Sequence, residues 1–95
     1  MIENPALAKL RDEIDQVDIA LVVLLQKRFE IVDRVIEVKN KAGIAAMLPD
    51  RIERVVQNVV ARASDTKVPR QAVEKIWRIL IAETITYQER VLGQK

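Results

Sequence analysis

The sequence predicts an all-α protein: a three-helix chain whose first helix is very long. Three observations carry this. Only two glycines and three prolines interrupt 95 residues, and strong helix formers fill the stretches between them. Apolar residues recur at helical spacing along most of the chain. No alternating apolar and polar run with turn residues at its ends marks a strand or a hairpin. At this length one domain spanning residues 1–95 is expected.

Asn4 and Pro5 form an N-cap and first helical residue, and the periodic pattern runs on to about Lys41, where Gly43 stops it. Leu7, Leu10, Ile14, Val17, Leu21, Leu24, Ile31, Val35 and Val38 make a heptad stripe that Arg28 alone interrupts. A helix of about 36 residues would span about 54 Å, whereas a compact globule of this size measures about 30 to 35 Å across. A second pattern follows Pro49, with Ile52, Val55, Val56, Val59, Val60 and Ala63 on one face, and ends near Ser64 to Lys67. A third starts at Pro69 and carries Val73, Ile76, Trp77, Leu80, Ile81, Thr84, Tyr87, Gln88 and Val91 on or near its inward face. Two short helices cannot cover the first, and exposed heptad surface associates. An intertwined homodimer is therefore expected.

Composition removes several functions. Without cysteine or histidine there is no disulfide, no thiol nucleophile and no ordinary zinc or haem ligand set, so neither a metal nor a cofactor is expected. The 16 basic and 14 acidic residues interleave, giving a net charge of +2 without a basic tail, which argues against nucleic acid as a partner. No stretch reads as a targeting segment or a membrane span, so a cytoplasmic protein is the expectation.

The remaining chemistry is cationic. A guanidinium in an apolar seam is costly to desolvate alone, so Arg28 is either neutralised by a carboxylate such as Asp18 or Glu83 or kept for a ligand. Lys39 lies three turns further on and nearly the same face, about 16 Å away in Cα position. Arg11 stands roughly 25 Å from Arg28 along the axis and about 100° round it, so one chain cannot aim both at one small molecule. In an antiparallel dimer the partner's Arg11 can approach Arg28 and Lys39, which makes two equivalent pockets from both chains. Thr84 and Gln88, one turn apart on the third helix, offer neutral hydrogen bonds, or are buried polar groups satisfied by backbone or water. Arg51 opens the second helix and, taken alone, reads as a solvated surface arginine. The set suits binding and reshaping a small dicarboxylate better than proton transfer.

These residues resemble the all-helical class of chorismate mutases across nearly the whole chain. The resemblance lies in Leu10-Arg11-Asp12-Glu13-Ile14-Asp15, Leu24-Leu25-Gln26-Lys27-Arg28, Val38-Lys39, Asp50-Arg51 and Glu83-Thr84-Ile85-Thr86-Tyr87-Gln88. It implies an intertwined dimer of three-helix chains. It further implies that Arg28 and the partner's Arg11 grip two substrate carboxylates with help from Thr84, while Lys39 and Gln88 hydrogen-bond the ether oxygen of chorismate as its bond to carbon breaks. Such a rearrangement to prephenate needs no nucleophile or general base.

Two positions depart from that pattern. Ile52 stands where the mutases usually carry a glutamate, and Leu48 where they often have an aspartate, so the acidic acceptor for the substrate ring hydroxyl is missing. Loss of one charge-assisted bond costs about 1.5 to 3 kcal/mol, or roughly one to two decades in rate if felt in the transition state. An apolar residue at position 52 resembles the isochorismate pyruvate lyases, a branch of the same fold that releases pyruvate and leaves salicylate. The segment Ala45 to Arg51 is similar to the lyases as well, whereas its placement relative to Lys39 and the hydroxyl of Thr84 follow the mutases. Chorismate mutase stands first, isochorismate pyruvate lyase is the alternative, and an amino-substituted chorismate is a further substrate to weigh. The rival from another class is a non-catalytic dimeric bundle, against which Arg11, Arg28, Lys39 and Gln88 together argue.

Overall fold

The computed structural model describes residues 4–93, and among them the regular structure is helical throughout: α1 (Pro5–Ala42), α2 (Pro49–Ala63) and α3 (Arg70–Leu92). The Asn4 carboxamide accepts from the amides of Ala6 and Leu7 at 2.9 and 3.2 Å, capping donors that a helix start leaves without partners. From there α1 runs unbroken for 38 residues, about 57 Å at helical rise. It ends as expected at Gly43, whose φ of +69° admits a residue without Cβ most cheaply. The Ile44 amide then donates back to the Lys39 carbonyl at 2.9 Å, the closing bond of a Schellman turn.

Pro49 starts α2 where its missing N–H costs nothing, with Asp50 in the first turn where a carboxylate favours the helix dipole. The helix stops at Ala63 because Ser64 and Thr66 turn their hydroxyls onto the Ala61 and Ala63 carbonyls, at 2.6 and 2.7 Å. Pro69 proves to be the N-cap of α3 rather than its first residue: its backbone is extended, and its carbonyl accepts from the Val73 amide at 3.1 Å.

The chain divides into two compact units, residues 1–31 and residues 32–95. In the first, the described residues belong almost wholly to α1, and its apolar side chains are exposed, among them Leu10, Ile14, Val17, Leu21 and Leu24. In the second, α2 and α3 are the close-packed pair. Its core is Val32 and Ile36 from α1, Ala46 from the connection, Val56 and Ala63 from α2, and Val73 and Ile81 from α3. On α2 the expected apolar face is the inward one, with Ile52, Val55, Val59 and Val60 half-buried beside Val56 and Ala63.

Two assignments change. On α1 the last turns bury Val32 and Ile36, with Lys39 half-buried in line with them, while Ile31, Val35 and Val38 of the heptad stripe stay exposed. The apolar arc is therefore wider than one stripe: residues at i, i+4 and i+7 face the chain's own helices, and the heptad face lies beside them. On α3, Ile76 and Val91 are also exposed, because the buried line runs through Val73, Ile81, Thr84 and Gln88.

Candidate active site

Lys39, near the end of α1, and Gln88, near the end of α3, meet directly. The Lys39 ammonium donates to Gln88 Oε1 at 3.0 Å and to the Ala46 carbonyl at 2.8 Å. The local fold explains the second contact. Gly43 reverses the chain, so the connection folds back along the last turn of α1 and brings Ala46, itself buried, over the residue whose carbonyl holds Ile44. Lys39 thus anchors the connection at both its backbone and its side chain.

This arrangement has a chemical direction. An ammonium only donates, so the Gln88 amide must turn Oε1 toward Lys39 and its NH2 group away. An ammonium carries three donors, and the bonds to Ala46 and Gln88 use two of them. A lysine and an amide that both direct N–H groups outward can stabilise negative charge growing on one oxygen atom. Burial pushes the Lys39 ammonium below the ordinary lysine value, because a partly dry site disfavours the charged form.

Thr84 lies one turn before Gln88 and is equally buried. Its hydroxyl donates to the Leu80 carbonyl at 2.7 Å, a common way for a helix to satisfy a buried hydroxyl. With its proton on Leu80, the hydroxyl must switch its donation to help a carboxylate. Ile52 is half-buried on α2 and lines an apolar cavity of about 300 Å³ with Met47, Ile81, Ala82 and Ile85, edged by Arg78. Glu53, the carboxylate next to Ile52, is held by a two-pronged bond from Arg78 at 3.0 Å for each oxygen. That bond keeps Glu53 below the usual carboxylate range and ties it to the outer surface. Arg51 is exposed in the first turn of α2. Arg11 and Arg28 belong to the first unit, Arg11 exposed and Arg28 half-buried.

The structure brings together Lys39 and Gln88, which the sequence singled out, and adds the Ala46 carbonyl between α1 and α2, which sequence reasoning did not. Nor did it find the bond from the Tyr87 hydroxyl to Asp33 Oδ1. A backbone acceptor has no residue signature, and Gly43 four residues after Lys39 was the one available sign of a chain reversal there.

A lysine and a glutamine brought together from two helix ends agree with what similarity finds. The profile of the chorismate mutase type II family matches residues 10–89. The chain belongs to the chorismate mutase type II family. Among relatives, the T-protein of Enterobacter agglomerans is 38% identical over 80 residues, covering 84% of this chain and 21% of that protein. The chorismate mutase of Methanocaldococcus jannaschii is 29% identical over 94 residues, covering 99% of this chain and 93% of the relative. The 4-amino-4-deoxychorismate mutase of Streptomyces venezuelae is 23% identical over 95 residues, covering all of this chain and 92% of the relative. The chain thus spans only 21% and 24% of the T-protein and of a bifunctional chorismate mutase/prephenate dehydratase from Aquifex aeolicus. No solved structure gives a significant match. No helix of this family member, among the described residues, is long and apolar enough to cross a membrane.

Proposed function

We propose that this chain converts chorismate to prephenate as a homodimer, with residues 1–95 forming one mutase domain. The observation that carries the reading is the Lys39–Gln88 pair, fixed by the Ala46 carbonyl. In the rearrangement one carbon–oxygen bond breaks and one carbon–carbon bond forms within the same molecule, with no proton, electron or leaving group exchanged with the protein. Negative charge grows on the ether oxygen as its bond lengthens. The third Lys39 N–H and the Gln88 NH2 group are donors suited to that oxygen, and they act most strongly where water is excluded. Arg28 and the partner's Arg11 hold the two carboxylates, with Arg51 and Thr84 assisting, so the ligand is kept in its compact reactive shape. The reading assigns the dimer to the cytoplasm with a small dicarboxylate as substrate and without metal, cofactor, nucleic acid or membrane.

One observation favours a second reading. Ile52 stands on an apolar cavity and the adjacent Glu53 is tied to Arg78, so neither supplies an acceptor for a ring hydroxyl. A substrate whose ring hydroxyl lies elsewhere, as in isochorismate, or an amino-substituted chorismate suits such a wall. The first would give salicylate and pyruvate.

Lys39→Ala tests the proposal. Prephenate formation should fall by about two to three decades while the protein stays folded and of unchanged mass in solution, the scale lost when one preorganised donor at a developing anion is removed. Turnover by Lys39→Ala equal to the parent protein would overturn the assignment.

A further inference from the structure

The Lys39–Gln88 bond bridges the last turns of α1 and the last turns of α3, and a second side-chain bridge lies beside it. It joins Tyr87, the immediate neighbour of Gln88, to Asp33. Asp33, Ile36 and Lys39 stand at i, i+3 and i+6 on α1, so the two anchors lie about 9 Å apart along the helix with Ile36 between them. Ile36 is 5% exposed, so the ground between the bridges is dry. On α3 the bridging side chains leave the axis about 100° apart.

These positions decide what each bridge controls. A single bond from Gln88 would act as a pivot, about which α3 can roll and swing the amide. A second bond, from the adjacent residue at a different angle around α3 to a different point on α1, removes that freedom. We propose that Asp33 and Tyr87 are positioning residues, which fix the roll of α3 so that Gln88 keeps Oε1 on Lys39 and directs its NH2 group at the substrate. The proposal rests on the mutase reading for its substrate, although the geometry it describes belongs to the protein without ligand. The bond to the carboxylate beside it pushes the Tyr87 hydroxyl above the ordinary tyrosine value, the direction expected when the protonated phenol donates to Asp33.

The test combines activity with a readout that needs no substrate. In Tyr87→Phe, which retains the ring, kcat on chorismate should fall about tenfold with KM within about twofold, the split expected when alignment rather than binding is lost. Asp33→Ala should match it, Asp33→Asn should retain most of the parent rate because an amide oxygen still accepts, and the Asp33→Ala, Tyr87→Phe double variant should be no slower than either single one. In the ligand-free proteins, the side-chain amide resonances of Gln88, identified by their loss in Gln88→Glu, should be sharp in the parent and shifted or broadened in Tyr87→Phe. An unchanged Gln88 amide, an unchanged kcat, or fully additive losses would each overturn the proposal. If the parent protein itself leaves chorismate untouched, the mutase reading fails, and the Gln88 amide alone then decides whether Tyr87 positions it.

Discussion

Lys39 does two structural things before it does any chemistry: its carbonyl closes the Schellman turn and its ammonium holds Ala46 and Gln88. Its side chain and that of Gln88 were legible because helical periodicity is enough to put polar groups on an inward face. Their mutual bond was not, since it depends on how far α3 sits from α1. Asp33 was invisible for a related reason: an exposed aspartate on a charged helix face has no pattern that distinguishes a bridge to Tyr87 from a solvated side chain. Ile52 was read from a departure in type, and the cavity around it gives that departure a physical meaning. Replacing Ile52 by Glu introduces a carboxylate into the wall of that cavity, where Arg78 is already engaged by Glu53 and Glu74. We expect Ile52→Glu to raise kcat/KM for chorismate by one to two decades, about the worth of one charge-assisted hydrogen bond, and to lower it for isochorismate. Parallel kinetics on both compounds check this, and equal values for parent and variant would remove Ile52 from the substrate wall.

At the scale of elements, the boundaries of α1 and α2 followed from capping and turn chemistry. Asn4, Gly43 and Pro49 each do what their backbone preferences dictate. The start of α3 shifted by one residue because an extended proline serves as the cap itself. The inward faces were harder, since α1 carries more apolar residues than one partner can bury, and a single stripe was the simplest description of them. Gly43 links the element to the site. A Cβ added there meets no atom within 4 Å, so the cost of Gly43→Ala is conformational, about 1 to 2 kcal/mol for a left-handed residue with a side chain. Urea unfolding should register that loss, and kcat should fall with it, because the same turn brings the Ala46 carbonyl to Lys39. Stability lost with kcat retained would mean that the connection caps α1 without orienting the lysine.

For the whole molecule, the heptad stripe poses the largest energetic question. Its nine aliphatic members are 37% to 63% exposed in the single chain, from Val35 to Val38. Contiguous apolar surface of that extent is characteristic of an interface rather than of a free monomer. In the proposed homodimer a second copy covers it and supplies the partner's Arg11, so assembly and catalysis should be lost together. Leu21→Asp, on the stripe and away from Lys39 and Gln88, should give a monomeric or unfolded chain in sedimentation equilibrium and abolish turnover. A fully active monomer would refute the shared pocket. The expectation of a second copy comes from helix length, since two shorter helices cannot cover one of 38 residues.

The most direct single measurement incubates the purified protein with chorismate and, in parallel, with isochorismate, and follows prephenate, salicylate and pyruvate. The account predicts prephenate from chorismate as the dominant product, formed without added metal or cofactor. Salicylate and pyruvate from isochorismate with chorismate left intact, or no product from either compound, would contradict it.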